Sequence, residues 1–346
     1  MERSARAAPG RGPPPPEPAG APTATLTRHD PGSPALRSPN PPAMTARLRE
    51  QCIKASQQVQ ALLARSRLEA GRNPLTDEAI ASLRTEGVYV TTVERLLGPA
   101  APACRATMAE ALSLLQSDGV SWQDRGASTD LAPADLLARL PGLFLFGLQA
   151  TVLAIVEQYL RVPVAYHGAV YRHSAVDGRQ VGPRLWHRDA EDHRVLRTVM
   201  YLNDVEEDGG PFEYAPRSVP AAATKALAML GQCDDDTMAL HVPRDRWKRC
   251  IGPAGTVVMS DSAQVFHHES LQRRTGRSVV MMGHSSRRPK NRPLAEAHFP
   301  VHQHLPALAG ITRPEHRGLV FDWRDLDVRA TEAHVIATPA GDFVLG

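Results

Sequence analysis

Residues 186–204, WHRDAEDHRVLRTVMYLND, join a His-x-Asp triplet to an apolar stretch that is typical of a β-strand. In an extended chain, residues two apart point to the same face, so the side chains of His187 and Asp189 can converge on one ion. A His-x-Asp triplet alone is more often an exposed polar pair than a metal site. The stretch therefore predicts a β-rich core, and it predicts a metal site only if a third ligand lies elsewhere in the chain.

A candidate third ligand comes 80 residues after the first, in GTVVMSDSAQVFHHES at 255–270. A glycine, an apolar strand and a polar turn precede His267, so its ring would come from a separate strand. Two histidines and one carboxylate on one face of an octahedral ion leave three positions open, which is typical of non-haem Fe(II) oxygenases. A closed tetrahedral zinc site would need a fourth protein ligand, and the sequence suggests none.

Arg277 follows His267 by ten residues and opens the apolar stretch RSVVMMGHSS at 277–286. A buried guanidinium binds a carboxylate through two parallel charge-assisted hydrogen bonds. On the strand beside the distal histidine, Arg277 suits the far carboxylate of 2-oxoglutarate, whose keto-acid end would chelate the iron. The alternative is a surface arginine, because Arg273 and Arg274 lie close by in the sequence.

Helical patterns come first in the chain and strand patterns follow. From about residue 162, β-type segments are separated by Gly, Pro, Asp and Asn. Helices followed by a block of strands predict an α+β fold with a sandwich or barrel core. Helical spacing of apolar residues predicts helices over 45–71, about 103–116 and 143–160. A fourth predicted helix has Thr76 as its N-cap and ends before Gly87.

Composition divides the chain into three parts. Residues 1–43 hold 12 of the 30 prolines and almost no large apolar side chains, so we expect this segment to be disordered. The alternative is that Met44 is the true start. Residues 44–290 are predicted to form the functional domain, with its β core at about 162–286. Residues 291–346 are predicted to be a C-terminal extension.

The charge balance and the cysteines limit the possible partners. The formal net charge is only +3, with basic and acidic residues interspersed, which does not indicate nucleic-acid binding. No apolar run approaches the length of a membrane span, and the N-terminus has no apolar core of a secretory signal. The four cysteines show no metal or disulfide spacing. We therefore expect reduced thiols and a cytoplasmic protein.

The two stretches at 186–218 and 252–280 resemble the phytanoyl-CoA dioxygenase family of Fe(II)/2-oxoglutarate oxygenases. The resemblance covers roughly residues 75–286 and includes the helix-Gly-strand opening at EAIASLRTEGVYV. It implies a double-stranded β-helix, or jelly roll, braced by N-terminal helices. It also implies His187, Asp189 and His267 as catalytic iron ligands, and Arg277 as the 2-oxoglutarate anchor.

The family reaction implies that a small organic substrate is hydroxylated by O₂, with release of succinate and CO₂. Related halogenases leave the carboxylate position free for chloride, so Asp189 favours hydroxylation, desaturation or cyclisation. Two alternatives remain: a cupin-like metal-binding sensor without turnover, against which Arg277 argues, and a protein hydroxylase. The substrate and the oligomeric state are not predicted.

The sequence departs from the family pattern at two places. Where the family usually has Pro-Gly-Ser-His, this chain has Pro-Arg-Ser-Val at 216–219. After the distal histidine it has His268 and Glu269 where a glycine is common. His268 is therefore an alternative ligand, but adjacent strand residues face opposite ways, and the ten-residue step to Arg277 fits His267 better. Arg197 follows the triplet on the next strand; a solvent-facing side chain is expected, and the alternative is a contact with cosubstrate or substrate.

Overall fold

The computed structural model describes residues 72–324, which lie within one compact unit. The proline-rich segment 1–43 and the helix predicted over 45–71 lie outside the described residues, as does the end of the chain after residue 324. Within the described part, no helix is both long and apolar enough to cross a membrane.

Within residues 72–324, ten antiparallel strands form two sheets, and their order confirms the predicted jelly roll. The larger sheet has the order β1-β8-β5-β10-β4-β3-β2, and the smaller has the order β7-β6-β9. The last four strands, β7 to β10, alternate between the two sheets, and an isolated bridge from His187 to His267 adds a further partner for β9. The strands are β1 (Val88–Thr92), β2 (Trp122–Asp124), β3 (Thr129–Leu131), β4 (Val164–Ser174), β5 (Leu196–Tyr201), β6 (Phe212–Tyr214), β7 (Lys248–Cys250), β8 (Thr256–Asp261), β9 (His267–Glu269) and β10 (Arg277–Ser286).

The N-terminal helices pack on the outer face of the larger sheet, as the α+β prediction requires. Their apolar side chains share one core with sheet residues such as Met200, Met259 and Met282. The helices are α1 (Pro74–Thr85), α2 (Val93–Leu97), α3 (Ala101–Ser113), α4 (Pro133–Arg139), α5 (Pro141–Phe146), α6 (Ala150–Leu160), α7 (Ala221–Leu230), α8 (Asp235–Ala239), α9 (Arg292–His298), α10 (Leu305–Ile311) and α11 (Arg317–Val320).

Helix α1 begins earlier than its sequence predicts. Asn73 is the N-cap, and its side chain accepts a hydrogen bond of 3.0 Å from the Thr76 amide. The Thr76 hydroxyl accepts in turn from the Asn73 amide at 2.9 Å, so Thr76 is the third helical residue of a capping box and the predicted N-cap is wrong. The predicted end is confirmed, because Gly87 follows the helix with a φ of +84°.

The apolar stretch 143–160 forms two helices, α5 and α6, instead of the single predicted helix. A β-carbon on Gly147 would lie 2.5 Å from the ring of Tyr166, so the chain passes too close to β4 for a larger residue. The Gly147 carbonyl accepts a hydrogen bond of 2.9 Å from His284 Nε2. Contacts with the sheet therefore end the first helix, which the helical periodicity could not reveal.

The space between the two sheets is lined largely by apolar side chains. Val199, Tyr201 and Val279 from the larger sheet pack with Phe212 and Tyr214 from the smaller sheet. Strand β5 is buried at every position, so both of its faces are covered. This arrangement directs one face of β5 toward the helices and the other toward the region where the polar site lies.

Candidate metal centre

Three predicted ligands lie together at the mouth of the space between the sheets. His187, Asp189 and His267 each offer one ligand atom, and these atoms all lie within 4.8 Å of one another. The centroids of the two imidazole rings are 4.5 Å apart, and Nε2 of His187 lies 3.9 Å from Oδ1 of Asp189. Residues separated by about 80 positions in the chain thus form one cluster that could hold a metal ion.

Backbone hydrogen bonds fix the positions of these ligands. His187 and His267 exchange both of their backbone hydrogen bonds, each at 3.0 Å. The Asp189 amide donates to the Ser262 carbonyl at 2.9 Å, in the turn after β8. Asp189 therefore lies outside any strand, and the expectation that the whole His-x-Asp triplet lies on one strand is wrong.

Both histidines turn the same nitrogen toward the cluster. Nδ1 of His187 bonds the Leu185 carbonyl at 2.7 Å, and Nδ1 of His267 bonds the Val265 carbonyl at 3.2 Å. A carbonyl oxygen only accepts a hydrogen bond, so each Nδ1 donates its N–H, and in the neutral ring Nε2 then carries the free lone pair. Burial and the neighbouring His187 lower the pKa of His267 to about 3, which keeps its ring neutral.

Arg197 orients the carboxylate of Asp189. Its Nε and Nη2 donate to Oδ2 of Asp189 at 3.1 Å and 2.5 Å, and its Nη2 also donates to Glu191 at 2.6 Å. Burial alone would raise the pKa of Asp189, but the charge of Arg197 holds it below its usual range. Arg197 is only 8% exposed, so the expectation of a solvent-facing arginine is wrong.

A histidine from the C-terminal part completes this network. Nδ1 of His298, at the end of α9, bonds Oε1 of Glu191 at 2.7 Å. Neither residue was predicted from the sequence as part of the site. An acidic residue two positions after Asp189 was the only available signal for Glu191, and nothing in the sequence connects His298 with it.

His268 lies on the opposite face of β9 from the cluster. Its Nδ1 bonds the Arg184 carbonyl at 3.0 Å and its Nε2 bonds Oε2 of Glu213 at 3.0 Å. Its ring also stacks on Trp186, with 4.0 Å between the centroids. Both nitrogens are thus engaged away from the three ligands, which places His267 and not His268 in the cluster.

Arg277, the predicted anchor, is buried at the start of β10 with 4% of its surface exposed. The structure shows a partner that the sequence did not predict, because Nη2 of Arg277 donates to Oε2 of Glu269. The Nε and Nη1 groups of Arg277 have no hydrogen-bond partner within the described residues. Burial would raise the pKa of Glu269, but Arg277 and neighbouring donors lower it, so Glu269 is a charged carboxylate.

Two polar residues of β4, Tyr171 and His173, lie on the face of the larger sheet that is turned toward the helices. Tyr171 belongs to the core beneath the helices, where its ring meets Trp122 edge-on at 5.2 Å. His173 lies on the same face of β4 and bonds the Ser278 hydroxyl at 2.9 Å. The face of β4 that these residues occupy is turned away from the smaller sheet, so neither lines the space between the sheets.

No family model and no curated relative matches the chain. Among solved structures, it is similar to HygX from Streptomyces hygroscopicus with nickel and 2-oxoglutarate bound, at 14% identity and a TM-score of 0.43, over 60% of this chain and 86% of HygX. It is similar to EctD from S. alaskensis with bound Fe, at 14% identity and a TM-score of 0.45, over 61% and 78% of the two chains. It is also similar to the epimerase SnoN in complex with Fe3+, alpha ketoglutarate and nogalamycin RO, at 14% identity and a TM-score of 0.46, over 65% and 89%. At such low identities and scores, an activity has to be argued from the side chains.

Proposed function

We propose that this chain is an Fe(II)- and 2-oxoglutarate-dependent dioxygenase, an oxidoreductase that hydroxylates a small organic metabolite and releases succinate and CO₂. The observation that carries the proposal is the convergence of His187, Asp189 and His267, whose ligand atoms lie within 4.8 Å of one another. Two imidazole nitrogens and one carboxylate oxygen leave room for three further ligands, and this donor set is typical of non-haem iron oxygenases.

The residues present fit an Fe(II) ion. Both histidines bond backbone carbonyls through Nδ1, which leaves Nε2 for the metal. The neutral ring of His267 is in the form that binds metals. Asp189 offers a single oxygen, because Arg197 holds the other. A zinc site of the closed type would need a fourth protein ligand, and the cluster has three.

The surroundings also fit a keto acid with a distal carboxylate. Arg277 is buried, and its Nε and Nη1 groups lack a partner among residues 72–324. When bound, iron and 2-oxoglutarate would supply the activation of O₂ and the oxidation of a C–H bond. The chain would hold the ion with three ligands and orient the keto acid with Arg277. Apolar walls such as Phe212 and Val279 would exclude water.

Asp189 bears on the type of reaction. A carboxylate at this position occupies the place that related halogenases leave for chloride, which supports hydroxylation, desaturation or cyclisation. The resemblance to the phytanoyl-CoA dioxygenase family belongs to the same proposal. So does a cytoplasmic location, since Fe(II) and the free thiols of Cys104, Cys233 and Cys250 both suit a reducing compartment.

A metal-binding sensor without turnover is the second candidate. One contact favours it, because Glu269 already pairs with the arginine that would bind the cosubstrate. The two functions differ in a measurable way: a sensor needs metal binding alone, whereas an oxygenase must also bind and consume 2-oxoglutarate.

The test begins with the parent protein loaded with Fe(II) without oxygen. Native mass spectrometry counts the bound iron, and succinate release is then measured against a panel of metabolites. We expect His187→Ala and Asp189→Ala to lose iron and 2-oxoglutarate turnover while keeping the parent circular dichroism spectrum. His193→Ala, which changes an exposed histidine nearby, is the matched control.

Two results would contradict parts of the proposal. Consumption of 2-oxoglutarate by His187→Ala at the parent rate would refute the ligand assignment. Stoichiometric iron in the parent without binding of 2-oxoglutarate would refute the oxygenase and support the sensor.

A further inference from the structure

The proposed reaction gives no role to a charged residue that lies inside the site. Glu269 is 5% exposed and follows His267 by two residues on β9. Residues two apart on a strand share a face and lie about 7 Å apart along it. The carboxylate of Glu269 therefore projects into the same space as the ligand His267, on the side of Arg277.

Two side chains donate hydrogen bonds to this carboxylate, and a second arginine lies beside it. Arg277 Nη2 donates to Oε2, and Gln272 Nε2 donates to Oε1. Arg184, whose side chain is fully buried, places its Nε 3.6 Å from Oε1. Glu269 thus occupies Nη2 of Arg277, the arginine that would bind the distal carboxylate of 2-oxoglutarate.

The pairing is incomplete, which separates it from an ordinary structural ion pair. Buried polar groups in folded proteins are nearly always hydrogen-bonded. Here Nε and Nη1 of Arg277, Nε of Arg184 and Oε1 of Gln272 all lack a hydrogen-bond partner in the described part of the chain. Several unpaired groups around one carboxylate point to a further polar ligand that binds beside Glu269.

We propose that Glu269 is a specificity-determining residue that makes this chain a poor discriminator between 2-oxoglutarate and 2-oxo acids without a distal charge. The inference rests on the proposed function. A dicarboxylate that reaches Arg277 must share the guanidinium with Glu269, and like charges placed side by side in a buried site repel strongly. A 2-oxo acid with an uncharged tail does not meet this repulsion. The acidic residue therefore weakens the preference for a dicarboxylate that Arg277 alone would create.

The test measures binding by isothermal titration to the Fe(II)-loaded protein without oxygen. The two ligands are 2-oxoglutarate and 2-oxopentanoate, which has the same chain length and no distal carboxylate. We expect the parent to bind the two with dissociation constants within about threefold of each other, since Glu269 offsets the attraction of Arg277. If the parent binds 2-oxoglutarate more than tenfold more tightly than 2-oxopentanoate, the inference is overturned. This comparison uses the parent protein alone.

Glu269→Gln keeps the shape of the side chain and removes its charge. We expect this variant to bind 2-oxoglutarate about tenfold more tightly or better, because the like charge is gone, while its affinity for 2-oxopentanoate stays the same. Glu213→Gln is the matched control, since Glu213 is a buried glutamate on the neighbouring strand whose partner is His268. It should change neither affinity.

The outcomes separate this inference from the proposed function. If both acids bind the parent and Glu269→Gln leaves their ratio unchanged, the role of Glu269 is refuted and the oxygenase stands. If neither acid binds the iron-loaded parent or Glu269→Gln protein, the oxygenase is refuted, and the inference is refuted with it.

Discussion

Arg197 holds one oxygen of Asp189 and leaves the other facing the histidines. Two nitrogens of the guanidinium, Nε and Nη2, donate to Oδ2 of Asp189 at 3.1 Å and 2.5 Å, whereas Oδ1 lies on the side of His187. Since both donors engage Oδ2, Arg197 sets which oxygen is presented to an ion. Its position on the inner face of β5 is therefore part of the metal centre.

The first prediction concerns this contact. Arg197→Gln should lower the affinity for Fe(II) by about 10- to 100-fold, because second partners of metal ligands typically contribute that much. Titration of the metal into the oxygen-free protein measures the change. Arg274→Ala, with a side chain that is 80% exposed in the parent, is the control and should bind iron as the parent does. Unchanged affinity in Arg197→Gln would mean that Asp189 needs no orienting partner.

The second prediction separates the adjacent histidines. His267→Ala should abolish iron binding, because its Nε2 belongs to the cluster. His268→Ala should keep iron binding and lose about 1–3 kcal/mol of folding free energy, since Oε2 of the buried Glu213 loses its partner and only the bond from Arg249 remains. Metal titration and urea denaturation measure the two effects. Loss of iron binding in His268→Ala with retained binding in His267→Ala would move the ligand to His268.

The third prediction compares the ion pair of Arg277 and Glu269 with the ion pair of Arg249 and Glu213. Arg277→Ala should cost about 3–5 kcal/mol of stability, because it leaves Glu269 charged and buried. Adding Glu269→Gln to Arg277→Ala should recover part of this loss. Arg249→Ala removes a partner of Glu213. Because the Arg249 side chain is 47% exposed, its loss should cost at most about 1 kcal/mol of stability. Urea denaturation of the four proteins checks the order, and equal losses in the two single variants would contradict it.

The fourth prediction tests the close approach of α5 to β4. Gly147→Ala should destabilise the protein by about 1–3 kcal/mol, because its β-carbon would lie 2.5 Å from the ring of Tyr166. Gly310→Ala in α10 meets no atom within 4 Å and should be neutral or slightly stabilising, as alanine favours helices. Thermal denaturation compares the two. A stable Gly147→Ala protein would show that the ring can move aside.

Sequence patterns predicted the strands well because their signals are local. The segments read as strands at 197–204, 255–261 and 277–286 match β5, β8 and β10 to within a few residues. The spacing of His187, Asp189 and His267, taken together with the family resemblance, also indicated the three residues whose ligand atoms lie within 4.8 Å of one another. Strand periodicity and short motifs carry this information without reference to distant parts of the chain.

The contacts that tune the site depend on tertiary structure. All six residues of β5 are buried, so no alternation of apolar and polar residues shows which way Arg197 points. The pair between Glu269 and Arg277 depends on how β9 and β10 pack across the site. The bond from His298 to Glu191 joins residues 107 positions apart, and only the packing of α9 brings them into contact.

The reciprocal backbone bonds of His187 and His267 limit where this chain can gain or lose residues. An insertion of one residue on either side of that pair would shift the register and turn a ring to the opposite face of the sheet. Trp186 and Cys233 exchange backbone hydrogen bonds in the same way, at 2.8 Å and 3.1 Å, so the stretch between β6 and β7 is held at Cys233. Over evolutionary time, 186–189 and 262–267 should therefore keep a fixed number of residues, and insertions between β6 and β7 should avoid Cys233.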